Sequence, residues 1–200
     1  MDHAAWDRRY AGSELLWTSE ANRFLVEEVA TLAPGRALDL ACGEGRNAVW
    51  LAERGWEVTG VDFSTVGLEK ARQLAVTRGI CADWVVADLL DYRPEREAFE
   101  LVIIFYLQVP AAQRAPVLRK AAAGVAPGGI LLLVGHDVAN IAHGHGGPRD
   151  PTVLYTAQQV ADDLAATGLE IERAERVERP VETEAGRRRA LDALVRARRA

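Results

Sequence analysis

After about residue 35, short apolar runs alternate with segments of helical spacing, and turn residues separate them. That alternation predicts an open, mostly parallel sheet with helices on both faces. Strands are expected at residues 36–41, 56–62, 82–87, 99–105, 130–134 and 169–177. Helices are expected at 47–54, 65–79, 111–125 and 156–167, the first ending at Gly55 and the last at Gly168. The run Phe99 to Phe105 contains Leu101-Val102-Ile103-Ile104 without polar alternation, as a strand buried on both faces requires. Residues 190–198 place Leu191, Ala193, Val195 and Ala197 at every second position, a strand pattern. Their Ala, Leu and Arg content equally suits a surface helix.

The segment from Leu38 to Asn47 carries the strongest functional signal. It reads as a buried strand, an acid at Asp39, glycines at 43 and 45, and then a helix. Glycines one residue apart let the chain turn sharply and let a ligand approach bare backbone. In open α/β sheets such a loop lies at the carboxyl end of a strand, where ligands bind. A dinucleotide fingerprint would place a third glycine where Ala48 stands. Asp39 would repel a pyrophosphate but suits a ligand with a cationic head. An NAD-dependent oxidoreductase is therefore the alternative reading, and a non-catalytic binding protein is another.

Asp39-Leu40-Ala41-Cys42-Gly43-Glu44-Gly45-Arg46-Asn47 resembles the first motif of the class I S-adenosylmethionine-dependent methyltransferases. The resemblance extends over most of the chain, and Gly45-Arg46-Asn47 is similar to the tellurite-resistance and thiopurine-type branch. It implies a Rossmann-like, doubly wound, seven-stranded, mostly parallel sheet in one domain. Residues 1–33 would form a helical cover over a core spanning 34–200, and residues 190–198 an antiparallel last strand at the sheet edge. It also implies S-adenosylmethionine as cofactor, S-adenosylhomocysteine as product, and a small-molecule acceptor, with a thiol or chalcogen oxyanion as candidates.

The cofactor would be held by Tyr10, Asp39, Ala41, Gly43, Gly45, Arg46, Asn47, Asp62, Phe63, Ala87, Asp88, Leu89 and Phe105. Asp62, about 20 residues beyond the glycine loop, is placed to accept from ribose hydroxyls. Asp88 would accept from the adenine amine, with Phe63 and Leu89 on either side of the ring. Tyr106 and His136, at the ends of the fourth and fifth strands, are the catalytic candidates. Histidine can act as a base near neutral pH. Gln108 cannot. Trp6, Tyr10 and Trp17 call for burial, which makes the N-terminal segment a cover. Residues 140–151, rich in Gly, His and Pro, are expected to form a lid with it. His143 and His145 lack further ligands, so no metal is expected.

Composition narrows the partners. A net charge of −5 disfavours nonspecific attraction to nucleic acid or anionic membrane. No apolar run reaches the roughly 20 residues of a membrane span. Met1-Asp2-His3 lacks the pattern of a signal peptide. Cys42 and Cys81 offer no disulfide framework, so a cytoplasmic protein with free thiols is expected.

Overall fold

The computed structural model describes residues 3–12, 14–183 and 186–200. Its sheet has seven strands in the order β3-β2-β1-β4-β5-β7-β6. These are β1 (Arg36–Leu40), β2 (Glu57–Asp62), β3 (Asp83–Val86), β4 (Phe99–Phe105), β5 (Val125–His136), β6 (Leu169–Thr183) and β7 (Gly186–Arg199). β1 to β5 pair in parallel. β7 runs antiparallel to both β5 and β6.

The last strand is thus antiparallel but not at the edge, as the sequence reading had it. β7 is inserted between β5 and β6, and β6 forms the edge. Side-chain composition explains the order. Residues Ala190 to Val195 of β7 are all buried, whereas β6 alternates exposed Glu and Arg with half-buried residues. A strand covered on both faces must be apolar, and an edge strand blunts itself with charge.

The helices are α1 (His3–Tyr10), α2 (Arg23–Val29), α3 (Arg46–Ala52), α4 (Thr65–Arg78), α5 (Ala111–Gly124), α6 (Asn140–His143) and α7 (Ala157–Leu164). The N-terminal helical piece therefore consists of α1 and α2. β4 feeds both halves of the core because successive side chains point to opposite faces. Leu101, Ile103 and Phe105 pack with Phe24 and Leu25 of α2 and Ala48 and Leu51 of α3. Val102 and Ile104 pack with Val117 and Leu118 of α5 and Val160 and Leu164 of α7. Helix boundaries follow capping chemistry. Ser64 accepts from Gly67 N to start α4, and Gly79, at φ +66°, ends it. Thr156 and Gln159 form a reciprocal capping box on α7.

Candidate functional site

The carboxyl ends of β1 to β5 open into one cleft of about 1150 Å³. All the candidate residues named above line it except Gly45. Three left-handed residues shape the loop after β1: Ala41 at φ +61°, Gly43 at φ +54° and Gly45 at φ +78°. Gly43 lies on the cleft side, beneath the Tyr10 hydroxyl. Gly45 serves packing instead. A Cβ there would sit 2.7 Å from the Ala71 Cβ of α4 and 2.8 Å from the Trp84 ring of β3. Gly45 is thus the one cofactor candidate outside the cleft lining, and it lets α4 and β3 close on the loop.

Two buried carboxyls define the β1 and β2 ends. Neither oxygen of Asp39 has a hydrogen-bond partner among the described residues. Burial, reinforced by the nearby Asp62 charge, pushes the Asp39 carboxyl up to about 8. Asp62 is better satisfied. Its Oδ2 accepts from Gly43 N and its Oδ1 from Ser64 N, each at 2.8 Å. Burial raises its pKa, and those two amides oppose the rise. Asp62 therefore braces the glycine loop as well as facing the cleft. Between these acids, burial drives the Cys42 thiol far up, so it is no nucleophile.

Asp62→Ala is expected to strip the charged acceptor from two backbone amides. At about 1.5–3 kcal/mol for each such bond, the free protein should lose on the order of 3 kcal/mol before any ligand is added. A denaturant titration of the ligand-free variant tests this. An unchanged midpoint would show that the carboxylate contributes nothing to the loop.

Other lining residues divide between cleft and scaffold. The Asn47 Oδ1 accepts from Asn22 N at 2.9 Å, which ties the start of α2 to α3. The Asp88 Oδ1 accepts from Leu90 N at 2.8 Å in a local turn, and Asp88 lines the cleft. Phe63, Ala87, Leu89 and Phe105 supply apolar wall.

The N-terminal segment lies across the cleft, with Trp6, Tyr10 and Trp17 among its lining. A residue not singled out from the sequence, Glu44, fastens it. The Glu44 carboxylate is buried within the loop and accepts from Leu16 N at 2.9 Å and Trp17 N at 3.2 Å. Lys70 of α4 donates both to Glu44, at 3.1 Å, and to the Glu14 carbonyl, at 2.5 Å. Tyr10 stacks on Trp6 at 5.5 Å, and Arg9 lies 4.5 Å over the Trp6 ring.

Residues 140–151 do not line the cleft, so they are not its lid in this conformation. They begin as the short helix α6 and fold onto β7. The buried Asn140 accepts from Leu191 N at 2.7 Å and donates to the Gly146 carbonyl at 2.8 Å. His145 N donates to the Arg189 carbonyl at 2.9 Å. His143 and His145 face a separate surface hollow beside Arg187, Arg188 and Arg189. The glycine content that resembled a lid instead permits close packing: a Cβ on Gly147 would meet the His136 ring at 2.9 Å.

The wall built by β4 to β7 is polar. Tyr106, at φ +57°, packs its ring against His136 at 4.7 Å between centroids, tilted by 42°. Its hydroxyl donates to Asp192 Oδ2 at 2.9 Å and accepts from Asn22 at 3.2 Å. Burial and the Asp192 charge raise the phenol pKa, which makes Tyr106 a fixed donor and a poor base. Arg179 Nε donates to the same Asp192 oxygen at 2.8 Å. Arg46 also lines the cleft and has no ion-pair partner among the described residues. Burial lowers its pKa, though a guanidinium stays charged.

Residues 37–129 match the family described as methyltransferase domain. Over 125 residues the chain is 35% identical to the demethylmenaquinone methyltransferase of Thermus thermophilus, covering 62% of this chain and 55% of that protein. It spans about half or less of the length of the curated relatives it matches. One similar structure comes from work on the conversion of a disulfide bond into a thioacetal group during echinomycin biosynthesis. It superposes with a TM-score of 0.77 at 25% identity, over 98% of this chain and 92% of that one. TehB from Haemophilus influenzae shares the fold, with a TM-score of 0.73 at 14% identity over 99% of this chain and 67% of the other. These matches favour the methyltransferase reading over the oxidoreductase alternative. The sheet order and the superposed structures show the class I methyltransferase fold, and the glycine loop with its strand-end acids lies within the residues that match the methyltransferase domain.

Proposed function

We propose that the protein methylates a small molecule whose nucleophile is anionic or readily ionised, a thiol or a chalcogen oxyanion. The observation that carries this reading is the cation Arg46, without an ion-pair partner among the described residues, with Arg179 lining the same cleft. An anionic acceptor would give Arg46 a direct ion-pair partner, beyond the more distant influence of Asp39 and Glu44. Gly45-Arg46-Asn47 supports a place near the tellurite-resistance and thiopurine-type branch. A cytoplasmic setting suits the free thiols of Cys42 and Cys81.

The residues present fit S-adenosylmethionine. The unsatisfied Asp39 carboxylate is suited to a cationic amino-acid head. Asp62 retains acceptor capacity for ribose hydroxyls, and Asp88 for an adenine amine. Phe63 and Leu89 offer apolar faces for the ring, and Tyr10 over Gly43 closes that side of the cleft. When bound, the cofactor supplies an electrophilic methyl group. The chain's own task is to hold the acceptor in line with that group and to exclude water. Orientation of this kind can lower a barrier by roughly 7–11 kcal/mol.

The test is a methyl-acceptor screen with labelled cofactor over thiols, chalcogen oxyanions, phenols and amines. Label transferred to thiols or oxyanions is the expected result. Transfer confined to phenols or amines would overturn the acceptor class. Cofactor binding without transfer to any class would favour a non-catalytic binding protein.

A further inference from the structure

We propose that Asp192 is a positioning residue that orients His136 as the general base for the acceptor. The proposal rests on the methyltransferase reading and assigns a role within that same cleft. Its foundation is sheet register. β5 and β7 pair antiparallel with His136 opposite Asp192. Directly opposed residues of an antiparallel pair project to the same face. The two side chains are therefore brought together by the central sheet, not by a mobile loop.

The atoms in question are unusual for this protein. The buried side-chain oxygens and nitrogens without a hydrogen-bond partner, among the described residues, are those of Asp39, His136 Nδ1 and Asp192 Oδ1. Asp39 and His136 line the cleft, and Asp192 stands directly behind His136. Buried polar groups are nearly always paired, so orphans concentrated at a cleft call for an explanation. The His136 Nδ1 and Asp192 Oδ1 orphans lie 3.4 Å apart. Each is the partner the other lacks, and a small ring rotation completes the bond.

The surroundings fix the direction of that bond. Tyr106 and Arg179 both donate to Asp192 Oδ2, leaving Oδ1 to His136. Although burial alone would raise it, His136 and Arg179 hold the Asp192 carboxyl below the usual carboxylate range. An ionised carboxylate accepts only, so Nδ1 must carry the hydrogen. Nε2 is then bare and available to the cleft. The Tyr106 ring lies against one side of the imidazole and Gly147 abuts it. The charged and titratable groups facing His136 are thus Asp192 from β7, Tyr106 just past the end of β4 and, beyond Tyr106, Arg179 from β6.

For a thiol acceptor the step balances as follows. The acceptor S–H proton passes to His136 Nε2, and Asp192 stabilises the resulting imidazolium. The thiolate lone pair forms the new S–C bond to the methyl group. The electron pair of the broken sulfonium bond remains on the cofactor sulfur. His136 returns the proton to solvent after product release.

The decisive measurement is nitrogen NMR of histidine-labelled protein with S-adenosylhomocysteine bound. The neutral form of His136 should be the Nδ1–H tautomer. In Asp192→Asn the amide oxygen keeps the Tyr106 and Arg179 donors and turns its NH2 toward Nδ1, so the neutral form should switch to the Nε2–H tautomer. An Nε2–H tautomer in the wild type, or no switch of tautomer in the variant, would overturn the proposal. If Asp192→Asn does not fold, the wild-type tautomer alone decides. Rates add a second readout, with benzyl mercaptan and the pre-ionised 4-nitrothiophenol as probes. Asp192→Asn should slow benzyl mercaptan roughly 10–100-fold more than 4-nitrothiophenol, because only the former needs a base. Equal slowing of both would mark Asp192 as merely structural. Should the wild type methylate neither thiol, the acceptor class fails while the NMR result still judges the Asp192–His136 pair.

Discussion

Binding of S-adenosylmethionine near neutral pH should release about one proton per site, and Asp39→Asn should largely remove that release. Neither Asp39 oxygen has a hydrogen-bond partner among the described residues, and burial pushes the carboxyl from an ordinary 3.8 up to about 8. Between these values the folded chain holds a proton that the unfolded chain gives up. The group's contribution is thus most favourable below pH 4 and is lost as pH rises toward 8. At about 1.4 kcal/mol per pKa unit, the loss across that window is on the order of 5 kcal/mol. Asp39→Asn carries no such titration, so the free variant should be the more stable protein at pH 8. A cationic ligand group beside Asp39 reverses the balance, favouring the ionised carboxylate and expelling the proton. Calorimetry in two buffers of different ionisation enthalpy counts the protons. Equal release by wild type and variant, or none by either, would remove Asp39 from the ligand's cationic end.

The β1 loop was legible because its signal is local. A strand, an acid and two glycines within ten residues dictate a turn and a cleft, whatever surrounds them. Even so, spacing treats Gly43 and Gly45 alike. Only the neighbours, Tyr10 for one and Ala71 with Trp84 for the other, separate a cleft glycine from a packing glycine. The polar wall was less legible for the same reason. Asp192 meets His136 through a register between strands that are distant in sequence, and no local pattern encodes it. A signal was nonetheless present. Asp192 is the only acid between Gly186 and Ala200, lodged in an otherwise apolar and basic strand. The interior position of β7 was similarly readable from its unbroken buried stretch beside the charged β6. The Gly- and His-rich segment misled because composition reports conformational freedom, not destination. Asn140 and Gly147 use that freedom to pack against β7 and His136.

Gly43→Val should abolish measurable cofactor binding while leaving the sheet folded. Three observations combine here. Gly43 has φ +54°, where an L side chain costs about 1–2 kcal/mol and a β-branched one fits worst. Its N–H donates to Asp62 Oδ2, so any shift of the loop disturbs the acid proposed to accept from the ribose. A Cβ would lie 2.8 Å from the Tyr10 hydroxyl, pushing the N-terminal cover off the loop. Strain and collision can be told apart. Tyr10→Phe removes the hydroxyl that the new Cβ would strike but leaves the backbone angle unchanged. If collision dominates, Gly43→Ala should bind S-adenosylhomocysteine weakly alone and regain about tenfold in a Tyr10→Phe background, a coupling of about 1.4 kcal/mol. If backbone strain dominates, the two substitutions should be additive. Gly43→Val binding the ligand as tightly as wild type would defeat both accounts and leave the loop a plain turn.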